Sequence, residues 1–342
     1  GAITGGDKVI LKGRDFQSSS DLVQISAGTY HTCALGSNNK AYCWGYNGYG
    51  QFGNNSTSNS SIPVAVSQGA IPTGVNLTQI STGHNHTCAL GSNNKAYCWG
   101  YNGYGQLGNN STSSSSTPVA VAQGAIPTGV NLTQISAGTS RTCALGSNNK
   151  AYCWGDGSSG NLGNDSTSDS SIPVAVAQGA IPAGVNLTKI FSGSGHTCAL
   201  GSNNKAYCWG YNGNGQLGNN STSDSRVPVA VAQGAIPAGV NLTQISAGSR
   251  YTCVIGSNNK TYCWGQGDFG QLGNNSTSSS RVPVAVNQDS IASAPTVKVD
   301  GVSVMVRYIS STELEITMPA HAEGLVNISV TNPDNSTHTL NQ

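Results

Sequence analysis

A chain of 342 residues is long enough for two domains or for one large repeat domain. Its net charge is +1 and only 8 % of its residues are charged, which argues against nucleic acid or anionic membrane as the main partner, since both need clustered Lys and Arg. No apolar window approaches the ~18 residues of a spanning helix, so no membrane insertion is expected, and Gly1 reads as the start of a processed or trimmed chain.

Residues 1–20 carry Val9-Ile10-Leu11-Lys12-Gly13 and Phe16 with period-two alternation, which predicts strand. From residue 21 a 55-residue unit recurs five times, through residue 291. In the second copy, Leu77-Thr78-Gln79-Ile80-Ser81 alternates and predicts a strand. Thr87-Cys88-Ala89-Leu90 and Ala96-Tyr97-Cys98-Trp99 then form a hairpin around a Gly-Ser-Asn-Asn turn. A glycine-rich stretch to Gly108, a Ser/Asn run and a final strand Pro118-Val119-Ala120-Val121 complete the unit. Short strands at this period indicate an all-β propeller.

All ten cysteines sit two per unit as C-x9-C, and the even offset places both on one face of the hairpin. A three-residue loop would set them opposite each other. This favours the disulfides Cys33–Cys43, Cys88–Cys98, Cys143–Cys153, Cys198–Cys208 and Cys253–Cys263 over metal ligation, which ordinarily shows C-x2-C or Cys/His spacing. Each closed loop is worth roughly 2–3 kcal/mol. Five such bonds imply an oxidising location, extracellular, cell-surface or periplasmic.

The copies differ mainly in two loops. One precedes Thr-Cys, with Tyr30-His31, His84-Asn85, Arg141 and Arg250-Tyr251; the other follows Trp-Gly, with Tyr46 and Tyr49, Tyr101 and Tyr104, Asp156, Tyr211 and Phe269. Loops on one propeller rim are natural contact surfaces for protein or glycan, and these residues are the candidate rim contacts; unselected loop drift is the competing explanation. His31, His86 and His196 share a position that holds Arg141 and Tyr251 in the other copies, so a catalytic or metal role is not expected there; a hydrogen bond within the blade is. Trp44, Trp99, Trp154, Trp209 and Trp264 read as repeated packing. Asp156, Asp165 and Asp169 lack the ligand spacing of a calcium loop, no catalytic motif is present, and no metal or cofactor is expected. Candidate glycosylation sites begin at Asn54, Asn76, Asn109, Asn131, Asn164, Asn186, Asn219, Asn241, Asn274 and Asn327, although Asn and Ser are also ordinary turn residues.

Residues 292–342 return to alternating strands at Val297-Lys298-Val299, Val304-Met305-Val306, Glu313 to Thr317 and Val326 to Thr331.

The repeat unit resembles that of the regulator of chromosome condensation family, whose H-T-x-A-L, Y-x-W-G, G-Q-L-G and P-x-x-V elements match His31-Thr32-Cys33-Ala34-Leu35, Tyr42-Cys43-Trp44-Gly45, Gln51-Phe52-Gly53 and Pro63-Val64-Ala65-Val66. The cysteine pair is similar to that of secreted bacterial members. The family more often has about seven blades. Five units hold matched parts for five blades if the last Pro-Val-Ala-Val strand pairs into the first blade and closes the ring; an open arc is the alternative. The flanks 1–20 and 292–342, joined, resemble an IPT/TIG immunoglobulin-like sandwich, which implies a propeller inserted into an early loop of the sandwich. The sandwich's usual first strand is missing from the sequence; it lies upstream or is donated by a neighbouring subunit.

These features lead to the expectation of an extracellular, non-enzymatic structural protein, a fibre or stalk subunit that self-associates through its immunoglobulin-like part. A secreted adhesin gripping protein or glycan through the propeller rim is the alternative. The nucleotide-exchange activity of nuclear members conflicts with the cysteines.

Overall fold

The computed structural model describes residues 21–288, 296–304, 306–310, 313–317, 327–331 and 336–341. Residues 1–20, and with them the strand expected around Val9–Leu11, lie outside the described residues, as does His321.

Each 55-residue unit folds into one antiparallel sheet of four strands in chain order. In the first blade these are Leu22–Ala27, His31–Gly36, Ala41–Gly45 and Ser60–Ala65. The hairpin register sets Cys33 opposite Cys43, and the same pairing recurs in the other four blades. The loop is three residues, Ser37 to Asn39, closed by the Gly36 N–H donating to the Lys40 carbonyl, with Asn39 in the left-handed region that Asn tolerates. All five expected disulfides are formed and no cysteine is free.

The core is not one mass but four layers, each between two successive blades. The first layer joins Cys33, Leu35, Cys43 and Phe52 of blade one to Leu77, Ile80, Tyr97 and Trp99 of blade two. Trp99 is fully buried; its indole N–H donates to the Gln51 carbonyl across the junction at 2.8 Å, and Thr87 Oγ1 donates to that same carbonyl at 2.8 Å. The glycine ending the Gln-Phe-Gly element makes this possible: Gly53 has φ +68°, and a Cβ there would stand 2.8 Å from the Trp99 ring.

Of the closed ring and the open arc that the sequence allows, the strand pairing gives the open arc. Ser280–Ala285 does not complete the first blade; it pairs with Thr261–Gly265 of its own unit, Cys263 opposite Val284, as its counterparts do elsewhere. The compact turn after Trp-Gly returns the chain to the sheet it has just left, which is the connection short links favour. Among the described residues, five blades therefore make four interfaces and leave two uncovered ends. Ile25 is 65 % exposed, where its counterparts Ile80, Ile135, Ile190 and Ile245 are at most 3 % exposed. Trp44 is only half-buried, and at the far end Ile255 and Gln271 lose the cover of their counterparts. Among the described residues, the Gln271 carbonyl receives no Trp or Thr donor.

C-terminal to the propeller, Val302–Val304, Thr296–Val299, Asn327–Thr331 and Thr337–Asn341 form a four-stranded antiparallel sheet in that order, and Val306–Ser310 pairs with Glu313–Ile316. The alternation of Val297 and Val299, both buried, against exposed Thr296 and Lys298 is the expected one.

Candidate functional site

Two of the expected rim contacts are not on the rim. His31 is 2 % exposed and Arg141 is fully buried, because this position latches one blade to the next. His31 Nε2 lies 2.7 Å from Thr87 Oγ1, His86 Nε2 2.9 Å from Thr142 Oγ1 and His196 Nε2 2.8 Å from Thr252 Oγ1. The bond runs between blades, not within one as expected. Each of these threonines donates its only proton to a backbone carbonyl, of Gln51, Gln106 or Gln216. The imidazole must therefore donate, which fixes the Nε2–H tautomer and leaves Nδ1 bare and unpartnered. Burial lowers the histidine pKa values to about 4 for His31 and about 3 for His86 and His196, with lesser repulsion from His84 on His31, from His31 and His84 on His86, and from Arg141 on His196. Arg141 meets the same demand for a donor: its Nε donates to Thr197 Oγ1 at 2.9 Å, and its other nitrogens donate to the carbonyls of Ser194, Gly193 and His196. Burial lowers its pKa to about 10, against an opposing pull from Asp156. Tyr251, with its phenolic donor, stands at the uncovered end.

The remaining rim residues divide by blade. In blades one and two, Tyr30, Tyr46, Tyr49, Tyr101 and Tyr104 form a continuous edge-to-face run, with centroid separations of 6.1, 6.3, 5.0 and 6.3 Å in the order Tyr30–Tyr46, Tyr46–Tyr49, Tyr49–Tyr101 and Tyr101–Tyr104. His84 joins it, 4.9 Å from Tyr30, with Nδ1 3.1 Å from Thr29 Oγ1. The Asn85 carbonyl accepts the Tyr101 N–H at 2.8 Å. Elsewhere the rim is broken. Tyr211 and Phe269 are exposed and have no aromatic partner among the described residues; Arg250 is exposed and Tyr251 half-buried. Asp156 turns its carboxylate to the Ser158 N–H at 3.0 Å and to Asn161 Nδ2 at 3.1 Å.

Asp165 pairs with Arg226 at 3.3 Å and Asp169 accepts the Gly157 N–H at 2.9 Å, so the three aspartates of blade three face separate partners. Among the described residues no group of His, Cys, Asp or Glu is placed to hold a metal. The inner turns of all five blades line one shared cavity with glycine and small polar residues, His84 being its one titratable side chain.

Sequence reasoning missed what seats the rings. The phenol of Tyr46 lies over Gly48, that of Tyr101 over Gly103 and that of Tyr211 over Gly213; a Cβ on any of these glycines would fall 2.2 Å from the hydroxyl. The signal was present as Tyr-Asn-Gly in these copies against Asp-Gly-Ser and Gln-Gly-Asp in the other two. The central Asn47, Asn102 and Asn212 are buried and tie the Ser/Asn loop to the sheet; Asn47 Nδ2, for example, donates to the Ser56 and Ser58 carbonyls.

A family model for the RCC1-like domain matches residues 6–313. The chain belongs to this RCC1-like family. Of curated relatives, the Arabidopsis thaliana ultraviolet-B receptor UVR8 is 29 % identical over 256 residues, 74 % of this chain and 55 % of the relative. The probable E3 ubiquitin-protein ligase HERC4 of Homo sapiens is 30 % identical over 234 residues, 67 % of this chain and 21 % of the relative. The chain thus spans about half or less of these proteins. Among solved structures, human WBSCR16 superposes with a TM-score of 0.67 at 20 % identity, covering 78 % of this chain and 67 % of that one. Yeast RCC1 (Prp20), solved bound to Kap60, superposes with a TM-score of 0.66 at 22 % identity, covering 91 % and 70 %. These likenesses show the propeller fold. The RCC1-like match begins and ends inside the two flanks assigned from sequence to a sandwich.

Proposed function

We propose that this chain is an extracellular, non-enzymatic binding module, a disulfide-stapled RCC1-like propeller that engages its ligand through the rim of blades one and two. The observation that carries this reading is the tyrosine run, confined to two of five otherwise near-identical blades. Tyrosine offers large contact area at small entropic cost, and Ser, Gly and Asn around it adapt their hydrogen bonds, a composition shared with binding loops. Five intra-repeat disulfides support a location outside the reducing cytosol. No described helix is long and apolar enough to cross a membrane. Exposed Asn76, Asn131, Asn186, Asn241 and Asn327 are open to sugar attachment; Asn54, Asn109, Asn164, Asn219 and Asn274 are half-buried, and Asn54, Asn109 and Asn219 accept from the loop-anchoring Asn.

We assign residues 1–20 and 292–342 to one IPT/TIG-like sandwich carrying the propeller; the paired C-terminal strands support this. A second reading, a self-assembling fibre or stalk subunit, is favoured by the two uncovered blade ends.

Labelled full chain, binding to the surface of the producing cells, tests the first reading. Wild type should bind, and Tyr49→Ala/Tyr101→Ala should lose binding without a change in unfolding midpoint. Binding that ignores these substitutions overturns it. Concentration-dependent polymerisation in analytical ultracentrifugation, with no surface binding, would transfer the assignment to the second reading.

A further inference from the structure

Resting on the rim-binding reading above, we propose that the tyrosine run of blades one and two is a platform for a neutral polysaccharide chain. The rings are placed, not merely present. Each contacts the next edge to face, and the Tyr49–Tyr101 contact carries the run across the blade junction. Tyr46 and Tyr101 are seated on glycines whose replacement would strike the phenol. The repeats supply an internal control: the three units with Tyr at this position have Gly two residues on, while the two with Asp156 and Gln266 have Ser158 and Asp268 there. Ring and seat change together across the five units.

The chemistry of the run selects the ligand. An aromatic face carries negative charge density, which attracts the polarised C–H face of a pyranose, and the phenols can exchange hydrogen bonds with sugar hydroxyls. The run has no Lys, Arg, Asp or Glu, so it offers no Lys or Arg charge to pair with a uronate, sulfate or phosphate. It also lacks the enclosed central anchor around which protein–protein affinity concentrates. Tyr30, Tyr46, Tyr49 and Tyr104 are 38–57 % exposed on open surface. The run holds more rings than one sugar can cover and crosses a blade junction, so the ligand is a chain laid across the blades.

Affinity electrophoresis of the full chain through soluble xyloglucan, β-glucan, mannan and hydroxyethylcellulose, with polygalacturonate and hyaluronan as acidic controls, tests this. At least one neutral polymer should retard wild type. Tyr49→Ala and Tyr101→Ala should each weaken that binding about tenfold. Gly48→Ala, which keeps every ring but unseats Tyr46, should weaken it too, and Tyr211→Ala, outside the run, should leave it unchanged. Retardation by acidic polymers only, by none, or equally in all variants overturns the proposal. If the tyrosine variants still lose binding to the cell surface, the rim-binding reading survives and the polysaccharide does not; if neither binding depends on the rim, both fall.

Discussion

His86 donates from Nε2 to Thr142 Oγ1 of the following blade across 2.9 Å, and the Thr142 hydroxyl donates in turn to the Gln106 carbonyl. This pair of linked bonds explains why His and Arg can trade places in the repeat. The position requires a donor that reaches the next blade, and both side chains supply one; Tyr251 stands in the last blade, where among the described residues no following blade demands it. The same pair of bonds also makes the blade stack sensitive to acid, since a second proton on the imidazole would have to sit on a buried, unpartnered nitrogen.

Acid sensitivity has a defined sign. The folded-state pKa values of His31, His86 and His196 lie near 4, 3 and 3, below the ordinary 6.5 of the unfolded chain. Between those limits the unfolded state binds protons that the folded state refuses. Stability is therefore fully present above pH 6.5 and is lost as pH falls towards the folded values, on the order of 1 kcal/mol per pH unit for each histidine. Urea midpoints measured from pH 8 to pH 4 should fall below 6.5, and His86→Gln, which keeps a donor but cannot ionise, should shallow the slope. An unchanged slope would remove His86 from the account.

The uncovered end predicts unequal costs for equivalent substitutions. Ile80→Ala opens a cavity in a sealed layer between blades one and two and should cost about 2–5 kcal/mol. Ile25→Ala, at the same repeat position but exposed, should cost about 0.5 kcal/mol or less. Equal losses by denaturant unfolding would mean that blade one is covered in solution.

Each disulfide bridges the two central strands of its blade. Removing one, as Cys143→Ala/Cys153→Ala, should cost roughly 2–3 kcal/mol, and the loss should be local to that blade and its neighbours because each core layer joins two successive units. Hydrogen exchange on the double variant checks both magnitude and range: faster exchange spread evenly over all five blades would show a single cooperative unit instead.

Much of this architecture was legible because five copies restate it. The shared face of Cys33 and Cys43 followed from an even spacing, a local property; their opposed register depended on a three-residue turn, which the structure supplies. The direction of the His31 bond did not, because its partner Thr87 is 56 residues away and belongs to a repeat that reads the same as its own. Near-identical units conceal whether a contact is within a blade or between blades; only the break in symmetry at Ile25 and Trp44 shows which face seeks a neighbour. The placement of the last strand stayed open for the same reason, since Pro283-Val284 fits either sheet by sequence. The tyrosine seats were readable in principle from the paired change of Tyr46 and Gly48 to Asp156 and Ser158.

The Gly53–Trp99 contact offers the most direct test of how blades lock. Gly53 combines φ +68° with an indole 2.8 Å from where its Cβ would be, so Gly53→Ala faces both backbone strain and a collision with a fully buried ring. Shifting the indole would also stretch its 2.8 Å bond to the Gln51 carbonyl. A loss of about 2–4 kcal/mol is expected, together with a red-shifted Trp fluorescence as the ring meets water. Gly74→Ala is the control: its φ is +83° but no atom lies within 4 Å, so it isolates the backbone cost at about 1 kcal/mol. If the two variants lose the same stability, the collision contributes nothing and the glycine serves the turn alone.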